Sequence, residues 1–215
     1  MPATPVHALL GSVLLLGSAW AGPALACSVS PKYRPPTTLD LAARADAIVI
    51  AEVDGERRSP TPEWGGDVLA TTRMILHGAI APRRIAIPES IITQDRTILF
   101  RSAPRELREP NEGALIGGCV RYTFARGMKL VLFLSRDQRG KWMLVRGPFA
   151  RDAEDVSGLN ALWVKAVREY TTIAKLPERR RSVAMRQRIR ALRATGTTDE
   201  VVIAADMQAE LKVRR

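Results

Sequence analysis

Apolar residues fall along this chain in two rhythms, and the change comes near Asp155. Before it they form short β-type runs divided by Gly and Pro. Asp46 to Asp54 is a Val/Ile-rich run stopped by Gly55, and Val68 to Leu76 is a second, set between Gly65-Gly66 and Gly78. Arg84–Ile87 and Thr97–Phe100 are shorter candidates. Met128–Leu134 and Lys141–Val145 face each other across a turn at Asp137 to Gly140, which is hairpin spacing. Five or six short strands separated by turns predict a small barrel or sandwich.

After Asp155 the period becomes helical. Leu159, Leu162, Trp163, Ala166, Val167, Tyr170 and Ile173 recur at three- and four-residue steps and make one amphipathic face. Pro177 opens a second helix and Gly196 closes it, while Thr197 to Glu200 has the spacing of a capping box for a third. The second helix is strongly basic, with Arg179, Arg180, Arg181, Arg186, Arg188, Arg190 and Arg193 around a stripe of Met185, Ile189 and Leu192. Such a face suits a membrane surface or an anionic polymer, and a merely solvated face is the commoner explanation.

The first block changes the picture of where the protein acts. Ala8 to Ala21 is a run of apolar and small residues, too short to span a bilayer and of signal-peptide length. Gly22-Pro23 breaks it, and Ala24-Leu25-Ala26 gives the small–x–small pattern of a cleavage site, although the n-region holds only His7 and the α-amine. Residues 1–26 therefore read as a leader, and the product is expected in the periplasm or secreted. A Cys after the cleavage point is also the acceptor in lipoproteins. The usual lipobox has Leu third before that Cys, whereas here Ala24 holds the place, so lipidation of Cys27 is the lesser alternative. No later run approaches the length of a membrane span.

The chain has 33 Lys and Arg against 22 Asp and Glu, a net charge of +11 carried entirely by residues 27–215. That balance favours anionic surfaces such as lipid headgroups or envelope polysaccharide; export makes nucleic acid the least expected partner. The two cysteines are Cys27 and Cys119. In an oxidising compartment an even pair most simply forms one disulfide, and two free thiols are expected only in a cytosolic chain.

Catalytic chemistry is sparse. His77 is the one histidine after residue 26, so no His/Cys metal cluster can be assembled and no Gly-x-Ser-x-Gly elbow accompanies it. Gly65-Gly66 and Gly117-Gly118 lack the Lys and helix of a phosphate loop. Glu52, Asp54, Glu56 and Asp67 could supply a glycosidase-like pair, but they read better as solvent-facing strand and loop residues. No cofactor is expected. Processing after Ala26 would, however, give Cys27 a free α-amine that titrates near neutrality, and this nitrogen with the Cys27 carbonyl could form a five-membered chelate on an open zinc site.

With Cys27, Ser28 and Pro31 in place, the chain resembles the tissue inhibitors of metalloproteinases and their netrin-like relatives, OB-fold modules that begin Cys-[Ser/Thr]-Cys-x-Pro. Val29 stands where the family has its second cysteine. Asp46-Ala-Ile-Val-Ile-Ala-Glu-Val-Asp-Gly55 is similar to the family's first strand, and Cys119, Gly127 and Leu130–Leu134 to its late turn and following strand. The resemblance spans about residues 27–150. It implies that Cys27 pairs with Cys119, and that the family's other bridge, from position 29 to the region of 145–149, has lost both halves. Closing the Cys27–Cys119 loop would contribute about 4–5 kcal/mol in the chain-entropy model.

The family's cysteine-rich C-terminal domain is absent, and netrin-like folds also serve proteins that inhibit nothing. The expected architecture is mainly β: a five-stranded Greek-key barrel of OB type over residues 27–152, followed by a helical segment over 153–215. The expected function is a non-catalytic binding module. Its sharpest form is a zinc-metalloprotease inhibitor in which Cys27 chelates the target's zinc and Ser28, Val29 and Pro31 complete the contact. The alternative is an envelope protein that holds an anionic polymer or partner protein through the barrel or the basic patch of Arg179, Arg180, Arg181, Arg186 and Arg190.

Overall fold

The computed structural model describes residues 29–59, 65–94, 107 and 118–214. The leader, Cys27-Ser28 and the expected strand at 97–100 lie outside them. In chain order the elements are α1 (Thr38–Arg44), β1 (Ala47–Arg57), β2 (Gly66–His77), β3 (Arg84–Ile92), β4 (Thr123–Phe124), β5 (Lys129–Arg136), β6 (Trp142–Leu144), β7 (Ala153–Asp155), α2 (Leu162–Ala174), α3 (Glu178–Thr195) and α4 (Thr198–Val213). The class is mixed α/β.

The strands form one sheet in the order β4-β3-β2-β1-β5-β6, with β7 also paired to β5. β1, β2 and β3 are successive antiparallel neighbours, and β5 returns to the free side of β1, which is a Greek-key order. The expected barrel is corrected here, because the sheet stays open. β4 joins β3 through two residue pairs, Ile91–Thr123 and Ile92–Phe124, and β5 carries β6 and β7 on its other edge. Among the described residues no ladder links β4 to β7.

A buried ion pair occupies that seam. The Arg121 guanidinium donates to the Asp155 carboxylate and, at 3.4 Å, to the Ala153 carbonyl. Its Nε donates to the Thr123 carbonyl at 3.3 Å, and it lies 5.0 Å from the Phe124 ring centroid. So β4 and β7 are joined by a side chain rather than by backbone hydrogen bonds.

Openness is tolerated because helices supply the second cover. Side chains alternate between faces along a strand, and in β1 Ile48 and Ile50 pack with Val131 and Phe133 of β5 against Leu39, Leu41, Trp163, Val167 and Tyr170. Val49, Ala51 and Val53 point the other way, with Leu130, Leu132, Val68, Ile87 and Phe124. Both faces of β1 over Ala47–Ala51 and of β5 over Leu130–Leu134 are thus buried, which explains why these stretches read as unbroken apolar runs.

The helices keep the expected order with small shifts. α2 begins at Leu162, leaving Leu159 exposed outside it. Pro177 is the N-cap of α3, and Gly196 ends it in the left-handed region (φ 74°) that glycine enters without steric cost. Thr197 caps α4 by accepting from the Glu200 amide. α1 was not anticipated; Thr37 and Asp40 form its capping box. β1 also runs through Gly55 to Arg57, and the sheet continues past residue 152 into β7.

Breaking the buried pair by Arg121→Ala should cost about 3–5 kcal/mol in urea unfolding, because Asp155 is left charged and buried. The double change Arg121→Met with Asp155→Leu should recover most of that loss. A single variant within about 1 kcal/mol of the parent would show that the seam does not depend on the pair.

Candidate functional site

Two places carry groups beyond what the core needs. The first is the landing of the N-terminal strip. Tyr33 closes a turn on the Ser30 carbonyl at 2.8 Å, and its hydroxyl donates to the Pro148 carbonyl at 2.7 Å. A Cβ on Gly147 would stand 3.3 Å from Pro36 Cγ and 3.4 Å from Tyr33 Oη, so glycine lets the strip lie close. The next residue but one, Phe149, has φ 55° and donates its amide to the Cys119 carbonyl at 2.6 Å. A bulky residue in the left-handed region is strained by about 1–2 kcal/mol.

The strip at 29–36, the segment 147–149 and Cys119 are therefore neighbours. Val29 is half-buried, Pro31 exposed and Cys119 half-buried. Cys27 and Ser28, and with them the bridge to Cys119, lie outside the described residues.

The second place is α3. The structure divides its seven arginines into those that build the fold and those that do not. Arg188 forms a two-pronged pair with Glu169 of α2 at 2.6 and 2.7 Å. Arg181 caps α2, donating to the Leu176 and Ala174 carbonyls at 3.0 Å each, so it serves the helix end rather than the basic patch expected of it. Arg179, Arg180, Arg186, Arg190 and Arg193 are exposed, and their side chains have no ion pair or hydrogen bond to another described residue.

Three of the five line one groove. Arg186, Arg190 and Arg193 stand at i, i+4 and i+7 on one side of α3, and with Val183, Gln187, Ile189 and Gln208 of α4 they border a concavity of about 310 Å³. No carboxylate is among these residues. Arg193 and the two glutamines were not singled out as a site from the sequence, although the 186–190–193 spacing was available to do so.

The remaining candidates sit on β1 and β2. Asp67 pairs with Arg57, Glu52 with Arg73 at 3.1 Å and Asp54 with Arg84 at 3.4 Å, all exposed cross-strand contacts. Glu56 accepts from the Ile92 amide at 3.4 Å. His77 ends β2, where burial and nearby Lys175 lower its pKa. Among the described residues no group of three His, Cys, Asp or Glu side chains could hold a metal ion. A larger concavity of about 350 Å³ lies between Pro35–Thr38, Phe149, Arg151 and α4. There Thr37 and Arg214 both donate to Glu210, at 2.8 and 2.6 Å, and clasp α1 to α4. Comparison with family models, with curated proteins and with solved structures gives no match.

Beside the landing, Asp152 is 2 % exposed and its ion-pair partner, Arg146 Nε, stands 4.0 Å away. That is too far to offset burial, which pushes the Asp152 carboxyl up to about 6. The folded state thus holds a proton that the unfolded chain releases at ordinary carboxylate pH. This contribution to stability is complete at low pH and is lost as pH rises through about 6. Asp152→Asn should therefore gain on the parent as pH increases from about 4 to 6, measured by urea midpoints across that range. A difference that stays constant with pH would place the Asp152 pKa at its ordinary value.

Proposed function

We propose that the protein is an exported, non-catalytic binding module that holds an anionic partner through α3. The observation that carries this reading is the row of Arg186, Arg190 and Arg193, exposed and without a carboxylate among the residues that border their groove. Unpaired guanidinium groups in a row raise the local potential and draw anions from solution. The leader-like first 26 residues support a partner in the envelope or outside it. Among the described residues no helix is long and apolar enough to cross a membrane.

The test separates a face from mere net charge. Retention on a polyglutamate surface should fall steeply with salt and be lost in Arg186→Glu/Arg190→Glu. It should persist in Arg139→Glu/Lys141→Glu, which alters an exposed hairpin turn by the same charge. Equal losses in both variants would reduce the binding to overall charge.

A second reading, inhibition of a zinc protease by Cys27, is favoured by the landing of the N-terminal strip. Tyr33 is tied to Pro148, and Phe149 to Cys119. Six residues of chain from position 33 span up to about 20 Å, enough for Cys27 to reach Cys119. A bridge there would fix the N-terminal amine and carbonyl at one edge of the sheet, presented to a metal. Cys119→Ser should then cost about 2–5 kcal/mol and expose a thiol at Cys27. Acetylating the Cys27 amine should abolish inhibition of a zinc endopeptidase, since an amide nitrogen offers no lone pair. Inhibition indifferent to acetylation would sink the chelate.

A further inference from the structure

The groove between α3 and α4 has a chemistry narrower than positive charge. Along a helix that rises 1.5 Å per residue, Arg186 to Arg190 covers about 6 Å and Arg190 to Arg193 about 4.5 Å. The three guanidinium groups thus form a short row of anion receptors on one side of α3. Each presents a planar fork that matches a carboxylate with two parallel hydrogen bonds. Gln187 of α3 and Gln208 of α4 line the same groove, and their amides both donate and accept. The apolar lining is Ile189, which is buried, and Val183, which is 48 % exposed.

A bilayer fits this groove poorly. A helix that lies in a membrane surface inserts an apolar face among the acyl chains. The apolar stripe of α3, Met185, Ile189 and Leu192, is 0–3 % exposed because it is packed in the core with α2 and α4. Nor does the groove border include an aromatic ring on which a nucleic-acid base could stack. Carboxylate-matching forks with amides beside them suit a chain that carries both acid groups and hydroxyls.

We propose that the α3–α4 groove binds an acidic polysaccharide of the uronate class, with Arg186, Arg190 and Arg193 on successive carboxylates and Gln187 and Gln208 on ring hydroxyls. This rests on the reading of α3 as an anion-binding face and adds to it the class of polymer.

The experiment measures binding of the full-length mature protein to oligogalacturonate by calorimetry. Neutral dextran oligomers and vesicles of phosphatidylcholine with one-third phosphatidylglycerol serve as comparisons. Binding to oligogalacturonate, with little to dextran, is expected. Arg186→Lys/Arg190→Lys/Arg193→Lys keeps every charge but removes the forks, and should weaken binding about tenfold or more. Gln187→Ala/Gln208→Ala should weaken it severalfold with no change in charge. The arginines are exposed, so the lysine variant should melt with the parent.

A lysine variant that binds as tightly as the parent would overturn the groove as a built site. Vesicle binding that is tighter than oligogalacturonate binding and is lost in the lysine variant would overturn the polysaccharide class and leave the anion face standing. A parent that binds neither probe nor polyglutamate would overturn both.

Discussion

The double burial of β1 and β5 is the constraint on which the other features depend. A strand covered on both faces cannot satisfy its backbone with water, so its amides and carbonyls need partners along its whole covered length. β1 finds them in β2 and β5, and β5 in β1, β6 and β7. Register is equally constrained. A slip of one residue would send Ile48, Ile50, Val131 and Phe133 to the wrong core and bring Val49, Ala51, Leu130 and Leu132 in their place. The two cores differ in shape, one roofed by helices and the other by β2, β3 and Phe124, so the exchange would leave both badly filled.

Two-sided cover also explains why closure into a barrel is unnecessary. A barrel removes its edges by pairing the last strand with the first. Here the helices take over one face, and among the described residues the short β4 is tied to β7 by hydrogen bonds from Arg121 to Asp155 and to the Ala153 carbonyl. Burying that pair is costly in itself, and the contacts of Arg121 with the Thr123 and Ala153 carbonyls and the Phe124 ring offset part of the cost. Asp152, two residues before the β7 carboxylate Glu154, lacks so close a partner, and its raised pKa is the result.

The sequence made legible what local chemistry decides. Val/Ile runs marked β1, β2 and β5, the three- and four-residue apolar steps marked α2, and Pro177, Gly196 and Thr197 bracketed α3 and α4. Closure was not legible, because it depends on whether the β4 edge, ending at Phe124, pairs with the β7 edge, starting at Ala153, and no local pattern reports that. α1 escaped because its apolar face, Leu39, Leu41 and Ala42, is too short to show a period. In the candidate site the arginine run was plain, but its division was not. Arg181 and Arg188 look like Arg186 and Arg190 until Glu169 and the α2 carbonyls are in place. The left-handed backbone of Phe149 has no signal in its neighbours at all.

That division of the arginines bears on function through energy. Arg186 and Arg190 are one turn apart, a like-charge spacing that destabilises a helix by a few tenths of a kcal/mol. Arg188, on another side of the same turn, shows that the fold can supply a carboxylate from a neighbouring helix when an arginine is to be neutralised. On the groove side the neighbouring helix supplies Gln208 instead, and α3 keeps the repulsion. α3 is held by only three fully buried residues, Met185, Ile189 and Leu192, over eighteen positions. Unrelieved repulsion therefore weighs more there than it would in a helix with a broad apolar face. An anion seated across Arg186, Arg190 and Arg193 would remove that repulsion and stabilise the folded state by linkage. The feature that weakens the free helix is thus the one that would couple its stability to a ligand.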